Sequence, residues 1–252
     1  TMGTILMLGI LRYSADAAVT FYPHLSVGNM YTDNVDLTGD DEEYDFITTL
    51  SPGVDLGMTG QFSDLSITYT PTYASYLRFP ENNTLRHNAI LNTSRHLTPA
   101  THLEFSNDFL YSEDPISDID TTVRQGRNPY TANTAAFAMN NQFGPDDSIT
   151  LGYEYYLLNN TDSTIEDNEH YRPSISMNYW LAPNRYGTES ELSYTRENFD
   201  DSEDYNETSA RFRLIRRLSP HFDVYAEYTH ELTNYVAEDE DFQVFSPLAG
   251  FI

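Results

Sequence analysis

Two runs of carboxylates, Asp40-Asp41-Glu42-Glu43 and Asp200-Asp201-Ser202-Glu203-Asp204, are the densest groups of metal-capable side chains in the sequence. Hard cations such as Ca²⁺ and Mg²⁺ want several carboxylate oxygens converging on one point. Neither run has the spacing of a calcium loop with its central glycine, and adjacent side chains of an extended segment point apart. These acids therefore read as a solvated surface that attracts and weakly screens cations. No resident metal or cofactor is expected.

Hydrolytic chemistry needs a paired acid and base, or a nucleophile beside a base. Glu104 with Asp108, and Glu227 with Glu231, can be posed as carboxylate pairs. Four residues along an extended strand separate their Cα atoms by about 13 Å, too far for either glycosidase arrangement. His24, His87, His96, His102, His170, His221 and His230 are scattered, and no motif fixes one of them beside a serine. Without cysteine there is no thiol nucleophile, disulfide or thiolate metal site. The chain does not read as an enzyme.

The elements that carry these residues are set by composition and period. The 252 residues hold 39 acidic and 13 basic side chains, a formal charge of −26. That balance excludes a nucleic-acid binder, which needs a basic face against phosphate. Such acidity often marks disorder, but 20 Tyr and 14 Phe argue for an ordered chain. Ile149, Leu151, Tyr153, Tyr155 and Leu157 alternate with Thr150, Gly152, Glu154 and Tyr156. Phe222, Val224, Ala226 and Tyr228 alternate in the same way with Asp223, Tyr225, Glu227 and Thr229. Period two over such lengths predicts strands, and no window offers comparable helical spacing.

Twelve strands are predicted, near 19–31, 46–59, 64–78, 84–97, 101–112, 130–143, 148–159, 170–181, 185–197, 205–218, 221–234 and 242–252. Their lengths meet or exceed the roughly 9–11 residues that cross a bilayer as a tilted strand. Short Pro- and Gly-containing links, such as Thr98-Pro99-Ala100 and Ser219-Pro220, alternate with longer polar ones. The longer links with their flanks hold 26 of the 39 acidic residues. Short turns at one end and long polar loops at the other predict an all-β, antiparallel, up-and-down transmembrane β-barrel.

The period then sorts the side chains. Asp55, Glu104, Asp108, Glu154, Glu189, Glu191, Asp223, Glu227 and Glu231 fall on the inward face, with Arg86, Arg172, Arg211 and Arg213. Two readings stay open for them: a charged lumen that tunes ion passage, or ion pairs that interlock and fill a narrow barrel. Phe21, Tyr69, Tyr73, Phe105, Phe109, Tyr153, Tyr155, Tyr179, Tyr194, Phe212 and Tyr228 fall outward, where aromatic rings suit headgroup depth. Trp180, Tyr156 and Tyr225 are the inward rings on which a sugar could stack. Arg216-Arg217, beside the Ser219-Pro220 turn, is expected to face headgroups.

At the amino terminus Met2 to Leu11 is an apolar run of signal-peptide length, followed by Ala15-Asp16-Ala17, a small-x-small cleavage pattern. Residues 1–18 are read as a signal peptide truncated at its start, and 19–252 as the barrel. The abrupt end at Ile252 suggests an incomplete carboxyl end.

Phe21-Tyr22-Pro23-His24-Leu25-Ser26-Val27, Tyr31-Thr32-Asp33-Asn34-Val35 and the stretch Asp45 to Val54 resemble a family of β-barrel porins of Gram-negative bacteria found with exosortase and exopolysaccharide loci. Leu65 to Pro71 and Arg95-His96-Leu97-Thr98-Pro99 resemble its next hairpins. The resemblance implies an outer-membrane barrel serving solute or polysaccharide passage, with polysaccharide export components as partners. It carries no catalytic signature and supplies no substrate. The reading is an outer-membrane, porin-like protein for passive passage of small solutes or ions, with the lipid bilayer as its surroundings. The alternatives are a plugged barrel that binds a partner or cations through its acidic loops and, least favoured, a hydrolase at the barrel rim.

Overall fold

The computed structural model describes residues 17–36, 42–114, 128–182, 185–200, 202–236 and 241–251. They form twelve strands: β1 (Ala18–Thr32), β2 (Asp45–Thr59), β3 (Ser63–Tyr76), β4 (Thr84–Thr98), β5 (Thr101–Ser112), β6 (Tyr130–Gln142), β7 (Ser148–Asn160), β8 (Asn168–Ala182), β9 (Tyr186–Phe199), β10 (Tyr205–Ser219), β11 (Phe222–Tyr235) and β12 (Phe242–Phe251). The only other element among the described residues is a single 3-10 turn at Pro80–Asn82. Each predicted strand is present, with ends within two residues of those read from the period. The signal-peptide reading falls almost wholly outside the described residues.

The strands make one antiparallel sheet in chain order, each paired with its neighbours in sequence. Side chains follow the period. Register partners of Glu104 are Ser94 and Ala138, and those of Phe105 are Thr93 and Phe137. One face of the sheet is polar and the other is mostly apolar. The row of partners that starts at Ala18, at the short-turn end, passes Asp64, Glu104, Gly152 and Ser193 and reaches Val244, near the long-loop end of β12. The strands are thus steeply inclined to the row, the stagger of a barrel wall. Among the described residues β1 and β12 each pair on one side only.

Little of the apolar surface is packed away. Leu25, Leu50, Tyr153, Ile175, Leu192 and Leu214 stay exposed in mid-strand. The main buried cluster lies on the polar side at the long-loop end, where Val35 of the β1–β2 loop meets Ile47, Ala74, Tyr76 and Phe79.

Loop acids do structural work there. Asp45 is fully buried and begins β2, where its carboxylate accepts the backbone N–H of Phe46 at 2.6 Å, of Arg78 at 2.9 Å and of Phe79 at 3.2 Å. Asp204 accepts from Phe199 N–H at 2.9 Å, and Asp167 from Asn160 N–H at 2.6 Å. These carboxylates tie off strand ends whose backbone donors have no ladder partner.

Candidate functional site on the polar face

The polar face holds all thirteen charged residues that the period assigns to it, and the registers decide which of them meet. β10 lies between β9 and β11, so Arg211 and Arg213 stand between two rows of glutamates. Arg213 donates to Glu189 at 3.0 Å and to Glu227 at 2.7 Å. Arg211 donates to Glu191 at 2.8 Å and reaches Glu227 at 3.6 Å. Five side chains thus form one chain of charge, Glu191–Arg211–Glu227–Arg213–Glu189. Arg217 adds a two-pronged pair with Asp223, at 3.0 and 3.1 Å. Arginine suits this role because its planar fork serves two carboxylates at once. Along these three strands the charges pair with one another.

Arg217 is a departure from the sequence reading, which placed it with Arg216 at the headgroups. The two are consecutive on one strand, so they face opposite sides, and Arg217 turns to the polar face. There its guanidinium lies 4.5 Å from the Trp180 ring centroid. The three rings considered as sugar platforms are each already engaged. Trp180 carries Arg217, Tyr225 lies 4.6 Å from Arg213, and Tyr156 stacks on His170 at 5.2 Å.

Arg86 finds partners that the strand pattern did not reveal. Its Nε lies 3.0 Å from Glu113, which is 5% exposed, and its Nη2 is 3.1 Å from Asp114. Tyr76 also donates to Glu113, at 3.3 Å. Both acids come from the chain just beyond β5, so this cluster and the Val35 cluster bring loop residues over the polar face at one mouth.

The other acids have no arginine. Glu104 meets His102 at 3.0 Å, and Asp55 lies 3.5 Å from His24 and accepts from Thr68 at 2.7 Å. His170 stands between Glu154 at 3.4 Å and Glu197 at 3.5 Å. Asp108 and Glu231 form no ion pair among the described residues, and neither does Arg172, whose register partner on β7 is Glu154. The polar face therefore pairs most of its charge along β9–β11, while Asp55, Glu104, Asp108, Glu154 and Glu231 have no arginine partner.

Of the acidic loop runs, Asp40, Asp41 and Asp201 lie outside the described residues. Glu43 approaches Arg78 at 3.9 Å, and Asp204 is the strand-end cap already described. Among the described residues no three histidines or carboxylates stand in position to hold a metal ion. Asp162, in the β7–β8 loop, accepts the backbone N–H of Thr164 at 2.9 Å and its hydroxyl at 2.8 Å. Those bonds hold its carboxyl below the usual aspartate range.

No family model matches the chain, and no curated protein does. Solved structures similar to it include OmpT, an outer membrane protein of Vibrio cholerae, at 12% identity over 96% of this chain and 98% of that one, with a TM-score of 0.48. The COG4313 outer membrane channel from Pseudomonas putida F1 is 12% identical over 93% and 92%, with a TM-score of 0.43. The CymD monoaromatic hydrocarbon channel is 10% identical over 93% and 85%, with a TM-score of 0.36.

Proposed function

We propose that the chain is the wall of an outer-membrane channel that passes small solutes by diffusion and favours cations. One observation carries the reading: a twelve-stranded sheet leaves its apolar face exposed, and among the described residues no second sheet or helix layer covers its polar face. A soluble monomer rarely exposes more than a few hundred Å² of contiguous apolar surface. Lipid removes that penalty. The outward residues Ile149 to Leu157 of β7 cover about 20 Å of height once a tilt near 40° is allowed for, close to the apolar band of such barrels. A bilayer admits strands only where their backbone groups are paired, so the reading requires a closed wall in the membrane.

The acids without arginine partners, Glu104, Asp108 and Glu231 among them, set the sign of the selectivity because a negative lumen concentrates cations. The polysaccharide-linked role implied by the sequence resemblance enters as one solute class to try. The test is current across planar bilayers under a KCl gradient. A reversal potential of cation-selective sign is expected from the full-length protein; folded, inserted protein that passes no current rejects the channel.

A second reading, a plugged barrel, draws on the Val35 and Arg86–Glu113 clusters over the mouth. It predicts the no-current outcome.

A further inference from the structure

Among the described residues, His170 is the one histidine with a carboxylate at each ring nitrogen. Its Nε2 faces Glu154 of β7 at 3.4 Å, and its Nδ1 faces Glu197 of β9 at 3.5 Å. Glu197 is nearly buried, and neither glutamate has an arginine partner among the described residues. The other histidines are placed differently. His24 and His102 each meet one carboxylate, Asp55 and Glu104. His87 contacts Tyr69, His96 lies against His102, and His230 stacks on Phe245. His221 is exposed at a turn.

The position of the two carboxylates bears on the charge of the ring. A neutral imidazole has one N–H and one lone pair, so it serves one carboxylate and turns its lone pair on the other. Only the doubly protonated ring donates to both. Tyr156 stacks on it at 5.2 Å and keeps it in the gap between β7 and β9. Because the glutamates stand at opposite nitrogens, they do not converge on a point where a metal could replace the ring.

Few other charges face His170. β7 brings Glu154 and Tyr156, β8 itself brings Arg172, and β9 brings Glu197. Beyond β9, β10 brings Tyr205, the register partner of Glu197, and Glu207. Arg172 stands opposite Glu154 in register but forms no ion pair among the described residues. Loss of the ring proton therefore leaves one glutamate without a donor and adds one negative charge to the polar face near the long loops. Imidazole is the side chain whose charge changes in the physiological range.

We infer that His170 is a selectivity-determining residue of the channel, a proton-operated element that holds Glu154 and Glu197 neutralised when charged and releases them when neutral. Cation preference then rises with pH. The inference rests on the channel reading above.

The test records reversal potentials of the full-length protein in planar bilayers under a KCl gradient, from about pH 5.5 to about pH 9. The cation-over-anion permeability ratio of the parent is expected to rise on the order of two-fold across that range at low salt. His170→Gln removes the charge permanently and is expected to hold the high-pH ratio throughout. His170→Arg keeps the charge and is expected to hold the low-pH ratio throughout. Opposite plateaus mark an effect of charge, since a packing defect would move both variants the same way. His24→Gln and His102→Gln each retain the step. Heat-modifiable gel migration reports folding, and if His170→Gln does not fold, the flat low ratio of His170→Arg carries the test alone. A step that survives in the His170 variants, or a single plateau shared by both, overturns the inference and leaves the channel standing. Folded, inserted protein that passes no current at any pH rejects the channel and the inference with it.

Discussion

Trp180 on β8 lies across Gly187 on β9, so closely that a Cβ added to the glycine would stand 3.1 Å from the indole ring. The same tryptophan donates its backbone N–H to Asp147 at 2.7 Å and carries Arg217 near its ring. A bare backbone at residue 187 is thus what lets the largest side chain of the polar face lie flat. Gly187→Val is expected to displace the ring, with a cost of about 1–3 kcal/mol for overpacking. Trp180 is the only tryptophan, so its emission spectrum reads the displacement directly. Unchanged emission and unchanged urea stability would show that the ring has room to move aside.

Glu113 tests how firmly the loop beyond β5 is held. Its carboxylate is nearly buried and depends on Arg86 and Tyr76. Arg86→Gln strands that charge, and leaving a buried charge unpaired costs about 3 kcal/mol or more. The variant is expected to unfold at lower urea and, once inserted, to conduct more than the parent because loop residues leave the polar face. Restored stability in the double variant Arg86→Gln, Glu113→Gln separates the pair from a general packing defect.

How much of this was legible beforehand follows from what period two can carry. Alternation assigns a face from sequence position alone, and the registers put Glu104, Glu227 and Arg213 on one common face. It does not state register, so the pairing of Arg213 with Glu189 and Glu227 had to come from the structure. It also has no hold on loops. The partner of Arg86 could not be named in advance, because Glu113 lies past the end of a strand. Asp45 looked like part of an acidic loop, although its carboxylate fastens three backbone donors. With Arg216-Arg217 the nearby turn was given more weight than alternation, and alternation was the better guide.

Asp162 offers a pH test outside the strands. The folded chain lowers its pKa through the two bonds from Thr164. A depressed carboxyl contributes loop stability that is fully present above the unfolded value, about 3.9, and is lost as the pH falls through the lower folded value. The Thr164 amide resonance is therefore expected to titrate with a midpoint below that of a free aspartate. Asp162→Asn should abolish the transition, and a midpoint at or above the free value would mean that the two bonds do not form in solution.

The charge pattern of the polar face separates two kinds of substitution. Glu231 and Asp108 have no ion-pair partner among the described residues, so Glu231→Gln and Asp108→Asn remove negative charge from the polar face and disturb little packing. Each is expected to reduce the cation-over-anion permeability ratio on the order of two-fold at low salt, with the effect fading as screening increases. Arg213 works in the opposite direction. Arg213→Gln releases Glu189 and leaves Glu227 with only the longer contact to Arg211. Cation preference should then rise while urea stability falls by about 1–3 kcal/mol, because two half-buried acids lose their shared donor. Glu227→Gln added to that variant should bring both quantities back toward the parent. Reversal potentials and unfolding midpoints measured on the same four variants decide the matter. If the Glu231 and Arg213 variants shift selectivity in the same direction, the uncompensated acids do not control the field in the channel.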